Sequence, residues 1–340
     1  MDPQFFLDLA ARGARMPIGT DLILSEKSDP EQIKHDGRRL GQVMEEAAHR
    51  WKTPVALPLM DLTVEKEWLG HGLGVSAQEI PSWHFDNGVP AEIPDAPLTP
   101  RLKANSEAIR YIATETDLFP CGMSIGPFSL MTKLIADPIS PVFSAGMDDM
   151  DEDVERMEKV LELATQVILR TIEAQLDAGA QAILLCEPAA NTVYFSPIQL
   201  AESTATFDRY VIASNQRIRE LLRSRGAGLI FHDCGELNDD LVRKFVTLEP
   251  VMISLGSSRQ IWKDAKLLPA SIVLYGNLPT KKFYSDSVIS LPQVEEMGRE
   301  ILAKMKETGH PFILGSECDV LNVPGSEQTI RGKVDAFLNL

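Results

Sequence analysis

"RELLRSRGAGLIFHDCG", residues 219–235, holds a change from one periodicity to another. Up to Arg225 the apolar residues recur at three- and four-residue spacing, and Gly226 stands where a helix C-cap belongs. Leu229-Ile230-Phe231 then run apolar on both faces, as a strand does when helices cover both sides of its sheet. The run closes on His232-Asp233-Cys234-Gly235.

The same alternation recurs along the chain. Apolar runs that read as strands are "TPVALPLMD" (53–61), "LFPCGMSIG" (118–126), "AQAILLCEP" (180–188), "AGLIFHDCG" (227–235), "PVMISLG" (250–256), "ASIVLYGN" (270–277) and "HPFILGSEC" (310–318), with an eighth expected at "IGTDLIL" (18–24). Amphipathic helical stretches cover 29–51, 151–179, 196–226, 238–248, 291–309 and 326–340. Eight strands alternating with helices predict an α/β fold of the (β/α)8 TIM-barrel type. An open doubly wound sheet fits less well, because no strand runs into a Gly-rich phosphate turn; "GHGLG" (70–74) follows no strand and lacks the acidic residue of a dinucleotide fingerprint. The expected organisation is a single catalytic domain over 1–340, with an N-terminal helical extension and a long insertion near residues 70–100 that covers the active-site mouth.

Composition narrows the function classes. With 340 residues, 44% hydrophobic and 24% charged, the chain can bury a large core. A net charge of −16 argues against broad nucleic-acid contact, which needs clustered Lys and Arg. No apolar run approaches the roughly 18 residues of a membrane span, and the N-terminus lacks a signal peptide's pattern, so a cytoplasmic location is expected. Four scattered cysteines in a chain of this size do not read as a disulfide framework. The sequence is compatible with a homodimer and does not set the oligomeric state.

Strand period places His232 and Cys234 on one face at a C-terminal strand end, and Cys318 ends another strand in "ILGSECD". A barrel gathers such ends on one rim. Two thiolates and an imidazole suit Zn2+ and exclude the hard cations, and three protein ligands leave the open position of a catalytic zinc. The plainer alternative is that each cysteine is a small buried hydrophobe and His232 bonds locally.

These residues resemble the uroporphyrinogen decarboxylase superfamily, and within it the zinc-dependent corrinoid methyltransferases, which carry His-x-Cys-Gly after one barrel strand and a single Cys after a later one. "HDCG" (232–235) and the Cys of "GSECD" match; "GPFSL" (126–130), "LDAGAQAILLCEP" (176–188), "FSP" (195–197) and "LYGN" (274–277) fit the general layout, from about Met16 onward. The resemblance implies a TIM barrel in which His232, Cys234 and Cys318 hold zinc, and a methyl transfer involving cobalamin. The decarboxylases themselves use a basic Arg-Gln-x-Gly-Arg segment that "ARGARMPIGTDLIL" (11–24) does not reproduce, and they lack the His-Cys-Cys set. The uncharged "SLGSS" (254–258) favours the branch that takes methyl from a small donor, best a methoxylated aromatic, and delivers it to a separate corrinoid protein. The alternative is a methylcobamide:thiol methyltransferase. No Asp-x-His-x-x-Gly signature surrounds any histidine, so the corrinoid is expected from a partner.

The remaining candidates each carry a bland alternative. Glu187 ends a strand and is read as a fourth ligand or proton donor, or as a cap. Asp61, and less so Glu65, stand where a carboxylate orients a substrate, or are solvated loop acids. Met123, Tyr194 and Trp262 suit packing on an aromatic substrate, or fill core. Asn277 is read as a hydrogen-bonding partner of substrate or corrinoid, and Trp83-His84-Phe85 as a lid, with His84 a substrate-side residue.

Overall fold

The computed structural model describes residues 3–86 and 88–340. Eight strands, β1 (Arg15–Ile18), β2 (Val55–Ala56), β3 (Phe119–Ile125), β4 (Ala182–Cys186), β5 (Gly228–Asp233), β6 (Met252–Leu255), β7 (Val273–Leu278) and β8 (Phe312–Asp319), form one sheet in the order β1-β8-β7-β6-β5-β4-β3-β2. Every ladder is parallel. The edge strands β1 and β2 approach through Thr20, whose hydroxyl donates to the Leu57 carbonyl at 2.6 Å. This is a (β/α)8 TIM-barrel-like fold.

Each residue of β3 to β7 is buried, which explains runs that do not alternate. Met123, Leu184, Ile230, Met252 and Tyr275 face into the barrel, while Leu185, Phe231 and Ile253 face the helices. The helix Gln4–Ala11 closes the end from which the strands start: Phe6 and Leu9 join the interior cluster, and Phe5 stacks on Phe119 at 4.4 Å. The opposite rim, where β5 and β8 deliver their last residues, carries the sulfur donors. Among the described residues no helix is long and apolar enough to cross a membrane.

Four expectations need correction. The first strand is Arg15–Ile18, and most of 18–24 is the helix Thr20–Leu24: Gly19 ends the strand, and Leu22, Ile23 and Leu24 are buried on the helix that follows. The stretch 29–51 is two helices, Pro30–Ile33 and Gly37–Arg50, parted by Asp36, whose carboxylate caps the second through Arg39 N. The stretch 196–226 is broken around Ser203 and passes through a π-helical turn at Asp208–Ile212. Among the described residues the periodicity reading also missed the helices Val64–Gly72, Pro100–Glu115, Pro127–Leu134, Ile139–Gly146 and the short Ile261–Asp264; Pro100–Glu115 is announced by Thr99 at its N-cap and Pro100 at its first position.

The insertion does not cover the mouth; it clads the outer helices. Phe85 N donates to Leu134 O at 2.8 Å, Gln166 Nε2 to Ala91 O at 3.0 Å and Trp68 Nε1 to Pro97 O at 3.0 Å. Trp83 packs edge-to-face on the buried Phe85 at 4.6 Å, so the expected lid is instead core of the helical layer. Asn87, within the insertion, lies outside the described residues.

Candidate metal centre

His232 is the fifth residue of β5 and faces the barrel axis, in register with Cys186 of β4 on one side and Ser254 of β6 on the other. Ser254 uses that register: its Oγ lies 2.8 Å from His232 Nδ1 and fixes the ring plane. The other nitrogen, Nε2, is buried and, among the described residues, makes no hydrogen bond to nitrogen or oxygen; its neighbour is the Cys234 sulfur. A buried imidazole nitrogen costs free energy unless a partner fills the place.

What surrounds it is sulfur. One ligand atom from each of His232, Cys234 and Cys318 lies within 4.8 Å of the others, with both cysteines half-buried. Cys234 comes from the turn after β5, where Asp233 points away and accepts from Gly235 N at 2.7 Å, shaping the turn. Cys318 comes from the end of β8, its thiol 3.7 Å from Met60 Sδ in the loop after β2. Lys281, in a short turn after β7, donates to Cys234 Sγ at 3.3 Å. The Cys234 thiol is held well below its ordinary range by the hydrogen bond from Cys318, by His232 and by Lys281, which favours its thiolate as a ligand. Soft donors in this number fit Zn2+, whose ligands would be His232 Nε2, Cys234 Sγ and Cys318 Sγ. With the metal on Nε2, the imidazole proton sits on Nδ1 and is donated to Ser254.

The other sequence candidates fall in several places. Glu187 is committed elsewhere: its fully buried carboxylate accepts from Phe128 N at 3.1 Å, Ser129 N at 2.8 Å and Asn215 Nδ2 at 2.9 Å. It caps the helix Pro127–Leu134 and faces the helical layer, away from the three donors. Burial raises its pKa against the pull of those donors. Asp61 accepts from the Thr63 hydroxyl at 2.6 Å and from Arg101, with which it forms an ion pair. Glu65 is buried between its helix and β3, accepting from Ser124 Oγ at 2.9 Å, and burial pushes its pKa up to about 7.

Met123 belongs to the barrel interior. Tyr194 lies edge-to-face on Phe128 at 6.0 Å, half-buried in the loop after β4. Asn277 is 3% exposed and donates to Gly256 O and Arg259 O, both at 2.9 Å, bracing the loop after β6. Trp262 is remote from the donors: its ring lies 4.1 Å from Lys304 Nζ, near the end of the helix that leads into the start of β8. His84 sits in the outer layer beside Lys66.

Sequence reasoning missed Ser254, Lys281, Met60 and Glu317. Glu317 precedes Cys318 and accepts from Ser257 N at 3.1 Å, tying the β6 and β8 ends together. Ser254 stood inside a strand already recognised, but only the ladder pairing with His232 reveals its role.

Comparison with known proteins bears on fold and family. A solved methyltransferase from Methanosarcina mazei shares the fold, with a TM-score of 0.66 at 17% identity over 95% of this chain and 91% of that one. Curated protein sequences give no match. The sequence model for uroporphyrinogen decarboxylase (URO-D) matches residues 18–328, and the chain belongs to that family.

Proposed function

We propose that this chain is a zinc-dependent methyltransferase that moves a methyl group from a small donor, best a methoxylated aromatic, to cob(I)alamin carried by a separate corrinoid protein, with the whole chain acting as one catalytic unit. The observation that carries the reading is the trio His232, Cys234 and Cys318, whose donor atoms lie within 4.8 Å of one another on the barrel rim, with the buried His232 Nε2 facing sulfur. The structural likeness to a methyltransferase supports the same reading.

Zinc at this site supplies a Lewis acid that stabilises charge developing on the leaving oxygen or sulfur. The protein's own residues do the rest. Ser254 holds the His232 ring, Glu317 ties the β8 end to the β6 loop, and Lys281 adds a positive charge beside Cys234 that favours an anionic leaving group or nucleophile.

Decarboxylation fits these residues less well. A substrate rich in carboxylates needs arginines at the mouth, yet Arg15 is held at the opposite end, donating to the Leu338 carbonyl at 3.4 Å and to the Leu340 carbonyl. Arg101 and Arg259, nearer the strand ends, are paired with Asp61 and Glu67, and with Asp239 and Asp264.

The test incubates zinc-loaded protein with cob(I)alamin and a panel of methoxyarenes, methanol and methylamines, following the cobalamin spectrum. The proposal expects methylcobalamin with a methoxyarene. Methyl loss from methylcobalamin on adding a thiol, with no donor on the panel active, assigns the thiol-methylating direction instead. Protein purified without zinc, or a Cys318→Ala variant that keeps both metal and activity, removes the zinc reading.

A further inference from the structure

Away from the sulfur cluster, beside the helix Val64–Gly72, lies a cavity of about 380 Å³. Its wall carries Lys66, His71, Arg101 and Lys133, one carboxylate, Glu67, and an apolar side that includes Ile80. In a chain with net charge −16 this is a locally cationic place.

The charges do not cancel internally. Glu67 is engaged by Arg101, which also holds Asp61. Lys66 is only 7% exposed, and its ammonium donates to two backbone carbonyls, Lys133 O at 2.8 Å and Pro81 O at 3.3 Å. Among the described residues neither Lys66 nor Lys133 has a carboxylate within ion-pair distance. An ammonium has three N–H donors, so Lys66 keeps one beyond its two carbonyls. Burying a cation without a counter-charge is costly, and a second cation on the same wall adds to the cost. Both burial and Lys133 lower the Lys66 pKa, and Lys66 in turn lowers that of His84. Coupled to a cavity of small-ligand size with an apolar side, this unbalanced pair of lysines matches an anion bearing a compact organic group.

We propose that the cavity binds a small organic oxyanion, a carboxylate or phosphate ester, held by Lys66 and Lys133 with its apolar part against Ile80. The site is separate from the metal centre and does not depend on the methyl-transfer reading.

Titration calorimetry on the full chain tests it, at fixed ionic strength in chloride buffer, with inorganic phosphate, glycerol 3-phosphate, succinate and benzoate as probes. Saturable binding of at least one probe is expected, weakened about tenfold or more in both Lys66→Gln and Lys133→Gln and retained in Lys263→Gln on the outer surface. Preference for the two phosphates or for the two carboxylates assigns the headgroup. Lys133 is only half-buried, so its variant decides the matter if Lys66→Gln does not fold. No saturable binding at tens of millimolar, or undiminished binding by folded Lys133→Gln, overturns the proposal. Zinc content and methyl transfer in Lys133→Gln should stay at wild-type levels, so failure here is distinguishable from failure of the catalytic reading.

Discussion

The barrel holds two pairs of cysteines that contrast sharply. Cys121 and Cys186 lie inside the sheet, fully buried among Met123, Leu184 and Ile230. Burial pushes the Cys121 thiol up to about 12 and raises that of Cys186 well above its ordinary range. Cys234 and Cys318 stand at the strand ends, half-exposed, next to an imidazole and an ammonium; there the Cys234 thiol moves the other way, while Cys318, which donates to it, is raised. Cys186 is even the ladder neighbour of His232, so two further residues of climb along β5 separate a hydrophobe from a ligand. Height along the strand, with the polar groups the rim admits, sets what a thiol does here.

Removing one sulfur from each pair breaks that comparison most severely. Cys234→Ala and Cys318→Ala should each lose the metal and reduce methyl transfer at least about a thousandfold, measured by bound zinc per chain and by the cobalamin spectrum. Cys121→Ala and Cys186→Ala should keep one zinc per chain. If the interior variants lose metal as readily as the rim variants, height along the strand is the wrong distinction.

Thiol chemistry sharpens the contrast in the metal-free protein. An ordinary thiol near pKa 8.5 is less than about 1% thiolate at pH 6. A thiol with a lowered pKa stays ionised as pH falls from 8 to 6, so Cys234 should be alkylated by iodoacetamide at rates within about twofold across that range. Cys121 and Cys186, shifted upward and buried, should remain unlabelled. Lys281→Gln removes only the smallest cause of the lowering, so the pH 6 and pH 8 rates should stay close to each other in that variant too, read by mass spectrometry of the labelled peptides. A wild-type rate that falls about a hundredfold between pH 8 and 6 would mean that the rim does not hold a thiolate.

Ser254 gives a smaller effect. Ser254→Ala removes the partner of Nδ1 and leaves the three donors in place, so zinc affinity should fall about 10- to 100-fold by competition with a chelator. Unchanged affinity would show that ring orientation comes from packing alone.

The later seven strands and the three donors were legible because each depends on local pattern, apolar runs and donors at fixed offsets from strand ends, whereas the short first strand before Gly19 was not. Where the reading failed, distant contacts decided. Glu187 ends a strand as Asp233 does, and nothing nearby in sequence announces that Phe128 and Ser129 would claim its carboxylate. Trp262 follows the β6 loop, but packing on Lys304 draws it toward the other end of the barrel. The region 70–100 looked like a cover for the mouth because it is long and irregular, while its place is set by contacts with Gln166, Trp68 and Leu134 on three different helices.

The interior pair supplies the mildest test and the most direct one of the barrel as scaffold. Among the described residues Cys121 and Cys186 make only weak contacts from sulfur to the backbone, so their contribution is close to that of a buried apolar group. Truncation to alanine should lower unfolding free energy by about 1–2 kcal/mol each, through lost contacts and a small cavity, in denaturant titrations of the zinc-loaded protein. Cys186 is the more informative of the two. Its side chain enters the interior at the level of His232, so a cavity there gives the imidazole room to tilt away from Ser254. Equal stability losses in the two variants, with zinc affinity lowered only in Cys186→Ala, would mean that the interior cysteine also wedges the metal-binding ring. Unchanged affinity in both would leave orientation to Ser254 and keep the two pairs of cysteines functionally apart.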